Sequence, residues 1–358
     1  MKKFLVAILM SIALVACTKK SKNAENTTSD VSAKKGSQEV YVYNWSEYIP
    51  DEILQQFEEE TGIKVVYTTF DSNEAMYAKL KLVGGEGYDV TFPSTYYIKK
   101  MSDEGLIQKI DITKIKNFKE FDPALLNQKF DPNNEYSLPF MWGTTGIAVN
   151  TKYIDESKVK TWKDLWNEEF KGKLMLQNDV REVFHMALKS LGYSGNTTNE
   201  DEIKAAYEEL KKIMPSVRLF NSDSPKVPFL AEEVHVGMIW GGEAFRANQE
   251  NPNIKYIYPQ DGAALWMDCV VIPAKAKNVD NALAFINFIS RPDISAKISE
   301  ASGYTSPLTS SKEHLDESTK NSRIIFPNTT DLTNAEMQDS VGEAITIYQK
   351  YWEQLKVD

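Results

Sequence analysis

Histidine and cysteine are scarce in this chain, three and two among 358 residues. His185, His235 and His314 lie far apart, without the spacing that metal ligands need, so zinc chemistry is not expected and no cofactor is implied. Positive charge is also in deficit: 41 Lys and Arg stand against 51 Asp and Glu, for a formal net charge of −10. An acidic chain repels nucleic acid and draws cations, although net charge governs encounter more than site chemistry. No tandem repeat is visible, and no long apolar run follows the first sixteen residues. What remains is length enough for more than one core, so two lobes are the starting expectation.

The apolar exception is N-terminal. Lys2 and Lys3 precede "FLVAILMSIALVA", a stretch too short to span a bilayer, so residues 1–16 read as a signal peptide. Leu14 to Cys17, "LVAC", resemble a lipobox, where a bacterial lipoprotein is cut and its new N-terminal cysteine is lipidated. The expectation is a protein in the periplasm or on the extracellular face, held to the membrane by acyl chains on Cys17. Residues 17–38 are polar, with almost no large apolar side chain, and read as a flexible tether. The tether's five lysines against Glu25 and Asp30 give +3, so with Lys2 and Lys3 also set aside residues 39–358 carry −15. Cys269 then stands alone in an apolar stretch and should be a buried thiol without a disulfide.

From Glu39 the pattern alternates. "EVYVYNW" reads as a strand covered on both faces, "SEYIPDEILQQFEEETG" as a helix stopped by Gly62, "IKVVYTTF" as a strand, "DSNEAMYAKLKLVGG" as a capped helix and "YDVTFPST" as a third strand. Such alternation implies a parallel sheet. After "FMWGTTGIAVN" a second set begins: the helix "TWKDLWNEEF", the strand "KLMLQN", the helices "REVFHMALKSLG" and "NEDEIKAAYEELKKIM", and the strand "VHVGMIW". "EMQDSVGEAITIYQKYWEQLK" reads as a long final helix.

In open α/β sheets a ligand sits beyond the carboxyl ends of the strands. That rule selects Trp45 and Ser46 after the first strand, Ser94 and Tyr96 after the third, Asp179 and Glu182 after "KLMLQN", and Trp240 ending "VHVGMIW". Each has an ordinary structural role available: Asp179 and Glu182 fit a capping box, Ser94 fits a helix cap, and the tryptophans fit a core. "ALWMDCVVIPA" is harder to explain that way. Strand side chains alternate, so Trp266 and Asp268 share one face and Met267 and Cys269 the other. A buried carboxylate needs a cation or strong donors, and Arg181 is the one basic residue in these segments. Acceptor oxygens beside indole faces suit a flexible polyamine, its ammoniums on carboxylates and its methylenes between rings. The same ingredients describe a sugar-binding cleft or a glycosidase, and "STYY" a tyrosine-rich ferric site.

The segments "YNWSEYIP", "FEEETGIKVVY", "PSTYYIKKM", "FDPNNEYSLPFMWG", "REVFHMALKSLGYSGNTTN", "GMIWGGEAF" and "WMDCVVIPAKAKN" together resemble the spermidine/putrescine-binding proteins of bacterial ABC importers, from about Glu39 to near the C-terminus. The resemblance implies an α/β, two-lobed periplasmic-binding-protein fold of type II, each lobe a sheet flanked by helices and the ligand cleft between them. It implies discontinuous lobes, residues 39–145 plus about 267–326 and residues 146–266 plus about 327–358. Its pocket would comprise Trp45, Ser46, Glu47, Tyr48, Ser94, Tyr96, Asp179, Glu182, Trp240, Trp266, Asp268 and Gln338. Asp268 would hold an amine with Trp266 walling the alkyl chain, while Asp179 and Glu182 hold a terminal amine. The implied partners are a polyamine and the permease and ATPase subunits of an importer, with no reaction catalysed. Two positions depart from the pattern: Ser46 stands where spermidine-binding relatives often have threonine, and Glu243 where they can have a small neutral residue. Putrescine-preferring relatives resemble this sequence at Glu243, which adds a carboxylate to the cleft or faces solvent.

Overall fold

The computed structural model describes residues 38–46 and 48–357. The expected signal peptide, Cys17, the tether and the site residue Glu47 fall outside them. Among the described residues eleven strands form one curled sheet in the order β2-β1-β3-β10-β5-β8-β6-β7, with β4 and β11 added to β10 and β9 to β5. Their ranges are β1 Glu39–Trp45, β2 Lys64–Phe70, β3 Val90–Thr91, β4 Ile107–Gln108, β5 Ser137–Asn150, β6 Leu174–Leu176, β7 Val217–Phe220, β8 Val236–Trp240, β9 Ile254–Ile257, β10 Ala264–Pro273 and β11 Glu336–Met337.

The first three strands pair in parallel, β1 between β2 and β3, as the alternating pattern requires. The connecting helices carry their own start and stop signals. Asp51–Thr61 begins behind Pro50 with Asp51 and Glu52 in its first turn, and ends on Gly62 at φ 69°, whose N–H donates to the Glu58 carbonyl. Asn73–Leu82 begins at Ser72, whose side chain accepts from the Ala75 N–H. Both faces of this sheet are covered. Val40, Val42, Phe57, Phe92, Phe285 and Ile289 pack on one side, and Met76, Leu80, Ile98, Met101 and Val271 on the other.

A second core gathers Leu174, Phe184, Leu210, Met238 and Tyr348, with Met175, Phe229 and Ile239 on the reverse face of its strands. β6 pairs in parallel with both β7 and β8. The two cores are joined by β5, which contributes Leu138, Phe140 and Met141 to the first and Ile147 and Val149 to the second. β5 lies antiparallel to β10. Cys269 is a buried thiol. No helix among the described residues is long and apolar enough to cross a membrane.

Two helices expected from the pattern differ. "TWKDLWNEEF" forms short 3-10 turns, Trp162–Trp166 and Glu168–Phe170. The Asp164 carboxylate accepts from the Lys160 and Thr161 N–H groups and ties off a tight turn, while Trp162, Leu165 and Phe170 pin it to the core. The final helix is shorter than its pattern, Ile345–Val357. Glu336 and Met337 pair instead with β10, and Gly342 at φ 54° turns the chain before the helix. That diversion carries Gln338 alongside β10, where its N–H donates to the Leu265 carbonyl at 2.7 Å.

Candidate functional site

Twelve of the thirteen candidate ligand-binding side chains line one cavity: Trp45, Ser46, Tyr48, Ser94, Tyr96, Asp179, Glu182, Trp240, Glu243, Trp266, Asp268 and Gln338. The space between its wall atoms, with the open solvent at its mouth included, is about 620 Å³. Its wall also contains Asn73, Ser222, Asp223, Pro225, Arg246 and Tyr304, which the sequence reading did not name. Two of these carried a usable signal. Asn73 follows β2 at the same sheet edge as the others, and Arg246 lies three residues beyond Glu243 on one helix. Ser222 and Asp223 follow β7, a strand of only four residues that the pattern did not mark.

Asp268 sits where β10 breaks register against β5, between Asp268 and Cys269, and it bridges to Ser94. Such an irregularity re-aims a side chain, and here the carboxylate turns into the cavity at 4% exposure. The Tyr48 hydroxyl donates to Oδ2 and the Ser94 hydroxyl to Oδ1, each at 2.6 Å. Ser94 occupies the cap position of the helix Thr95–Asp103, yet its hydroxyl makes no cap bond because Asp268 takes it. Asn73 fixes the Ser94 rotor, donating to its oxygen at 2.9 Å and to the Tyr96 hydroxyl at 2.8 Å. Among the described residues no Lys or Arg pairs with Asp268, so its donors are two neutral hydroxyls. Burial outweighs them and pushes the carboxyl up to about 6.

The neighbouring indole is held edge-on against Tyr304, with ring centroids 4.8 Å apart, and its buried N–H finds no acceptor among the described residues. Across the strand pair Trp266 faces Gly143, where a Cβ would come within 2.7 Å of the indole. Gly143→Ala is therefore expected to push the ring into the cleft and destabilise the fold by about 1–3 kcal/mol. Urea unfolding checks this, and an unchanged midpoint would mean that the indole has room to yield.

Asp179 does cap the helix Val180–Ser190, accepting from the N–H groups of Arg181 at 2.9 Å and Glu182 at 3.0 Å. The reciprocal half of the box is missing. Glu182 Oε2 is buried without a hydrogen-bond partner and lines the cavity. Burial and then the Asp179 charge push Glu182 up to about 8, while Thr145, Trp240 and Gln338 only partly offset this. Burial raises Asp179 as well, against its backbone donors and Arg181. Arg181 itself turns away from the cavity, donating to the Asp339 carbonyl and to Asn196 Oδ1, with its guanidinium over the rings of Tyr96 and Tyr348. Tyr96 faces the cavity, whereas Tyr97 hydrogen-bonds Glu74 beside a separate groove that both tyrosines help to line.

The Trp45 indole N–H donates to the Phe92 carbonyl. That of Trp240 donates to the Gln177 side-chain oxygen at 2.9 Å. At the mouth the Ser46 hydroxyl donates to Asp223 at 3.2 Å, joining the end of β1 to the loop after β7. The arrangement combines carboxylates such as Asp268, which has no ion-pair partner among the described residues, with fixed aromatic walls. It suits an elongated cation and repels anions.

Two cores linked by long strands, with a cleft at the strand ends between them, define a two-lobed periplasmic-binding-protein fold of type II. Residues 52–326 match the model of bacterial extracellular solute-binding proteins. The chain is 50% identical over 317 residues, 88% of its length and 91% of the relative's, to the spermidine/putrescine-binding periplasmic protein of Escherichia coli (strain K12). The substrate-binding protein PotD of a spermidine/putrescine ABC transporter from Streptococcus pneumoniae superposes with a TM-score of 0.76 at 39% identity, covering 90% of this chain and 99% of that one. The Tp0655 (TpPotD) lipoprotein of Treponema pallidum gives 0.80 at 30% identity, covering 89% and 100%. The chain belongs to the extracellular solute-binding family, in the branch of the spermidine/putrescine-binding periplasmic proteins. It is a binding protein and not an enzyme.

Proposed function

We propose that this protein captures a polyamine, spermidine or putrescine, outside the cytoplasm and delivers it to the permease and ATPase subunits of an ABC importer. The observation that carries the reading is the set of buried carboxylates, Asp268, Asp179 and Glu182, facing one cavity between indole walls, with no guanidinium or ammonium of the described residues on Asp268. Asp268 takes one amine and Asp179 with Glu182 another, while Trp45, Trp240 and Trp266 enclose the methylenes. Ser46, Tyr48, Ser94, Tyr96 and Gln338 complete the wall, and Glu47, which lies outside the described residues, is a further ligand contact in this reading. The lobes are residues 39–145 plus about 267–326 and residues 146–266 plus about 327–358, a division supported by the membership of the two cores. Cys17 carries the lipid anchor, supported by "LVAC" and by the lipoprotein from Treponema pallidum among the relatives.

Calorimetric titration of the purified protein with putrescine, spermidine and spermine tests the reading. Saturable binding of at least one at micromolar concentration is expected, with a rise in melting temperature that grows with ligand concentration. Absence of binding by all three would overturn it. The alternative, a sugar-binding protein or glycosidase, is not favoured by the relatives. It would instead give oligosaccharide binding or hydrolysis in the same assay.

A further inference from the structure

Glu243 and Arg246 lie three residues apart on the helix Gly241–Glu250 and both line the cleft. Their side chains form an ion pair between Arg246 Nη2 and Glu243 Oε1, at 17% and 4% exposure. The other oxygen of Glu243 accepts from the Lys226 backbone N–H at 3.2 Å. The protein therefore engages both oxygens of this carboxylate. It differs in this from Glu182, whose Oε2 is buried without a partner.

Sorting the wall by charge gives the ligand its stations. Asp268 is one. Asp179 and Glu182 stand three residues apart at one helix start, both in the cavity wall, and the Asp179 charge bears on Glu182, so they serve as a second. The other charged groups on the described wall are Asp223, exposed and hydrogen-bonded to Ser46, and the Glu243–Arg246 pair. A chain with an ammonium at each end satisfies both stations. A third ammonium seated against this helix must break the protein's own ion pair or lie beside a guanidinium, and like charges in a desolvated site repel strongly.

We propose that Arg246 is a specificity-determining residue: paired with Glu243, its guanidinium takes the place of a third ammonium, so the cleft selects a diamine over a triamine. This inference rests on the polyamine reading above. Discrimination here comes from a repulsive element in the wall rather than from an added contact to the favoured ligand.

The test is calorimetric titration of the wild-type protein and of Arg246→Gln, with putrescine and spermidine as probes. The wild type is expected to hold putrescine about tenfold or more tighter than spermidine. Arg246→Gln exposes the Glu243 carboxylate to the ligand and should shrink that ratio by about tenfold or more, chiefly through a gain for spermidine. Should Arg246→Gln fail to fold, the double variant Glu243→Gln/Arg246→Gln removes both charges, leaves none buried alone, and is expected to shrink the ratio as well. Equal change in both affinities, or a wild type that prefers spermidine, overturns the role of Arg246 while polyamine capture stands. A wild type that binds neither probe overturns the polyamine reading itself.

Discussion

Asp268→Asn is expected to abolish polyamine capture at micromolar concentration while leaving the empty protein as stable as the wild type or more so. Asparagine keeps the shape, so packing against Tyr48 and Ser94 is preserved. What it removes is a negative charge held at 4% exposure by two neutral hydroxyls. In the empty protein that charge is a liability, which is why the carboxyl is raised to about 6. An ammonium arriving in the cleft turns the liability into a buried, hydrogen-bonded ion pair. Deleting one member of such a pair costs about 2–5 kcal/mol, on the order of thirtyfold or more in Kd. Two measurements separate the effects. Melting of the empty variant should match or exceed the wild type, while the stabilisation that saturating ligand confers, about 2.7 kcal/mol at a hundred times Kd, should vanish. Retained affinity would remove Asp268 from the binding site, and a collapsed melting temperature without ligand would make it a structural residue.

The two kinds of position at this site differ in how far they can be read from a string of letters. Trp266 and Asp268 were legible because strand alternation puts them on one face, and a carboxylate within an apolar run demands an explanation. What the string does not contain is the register break at Asp268 and Cys269 or the Ser94 bridge, which aim the carboxylate and supply one of its donors from 174 residues away. Burial of a carboxylate demands a cation or strong donors, and the string does not say which; here two hydroxyls donate, because Asn73 orients Ser94 and Tyr48 reaches in from beyond β1.

Local signals fared similarly. Asp179 caps as its spacing implies, but the cap says nothing of Glu182, whose missing return bond appears only when the helix start is packed against β5, β8 and Gln338. Gln338 itself lies in what reads as continuous helix. Pairing of Glu336 and Met337 with β10 overrides that propensity, since an edge backbone gains partners there that the helix pattern cannot weigh. The parallel start of the sheet was readable throughout, because caps, Gly62 and alternating apolar runs all agree over residues 39–91.

The raised carboxyls make capture depend on pH, with a sign that follows from linkage. In the empty cleft burial pushes the Glu182 carboxyl up to about 8 and the Asp268 carboxyl up to about 6, because it disfavours the charged form. A bound ammonium favours that form and draws both values down, so binding expels protons wherever the empty groups hold them. Affinity should therefore fall as pH drops from about 8 to 5, by about tenfold for each carboxyl held one unit above the working pH. Titrations in buffers of different ionisation enthalpy should detect proton release near pH 7. Stability runs the other way for the empty protein. These acids are neutral in both states below their unfolded values near 4, and they progressively cost stability as pH rises toward the folded values. Acid therefore relieves the empty fold while weakening the complex, and the melting shift produced by ligand should shrink from pH 8 to pH 5. A shift and a Kd that do not change across that range, with no proton release, would mean that the ammoniums are held by groups other than these carboxylates.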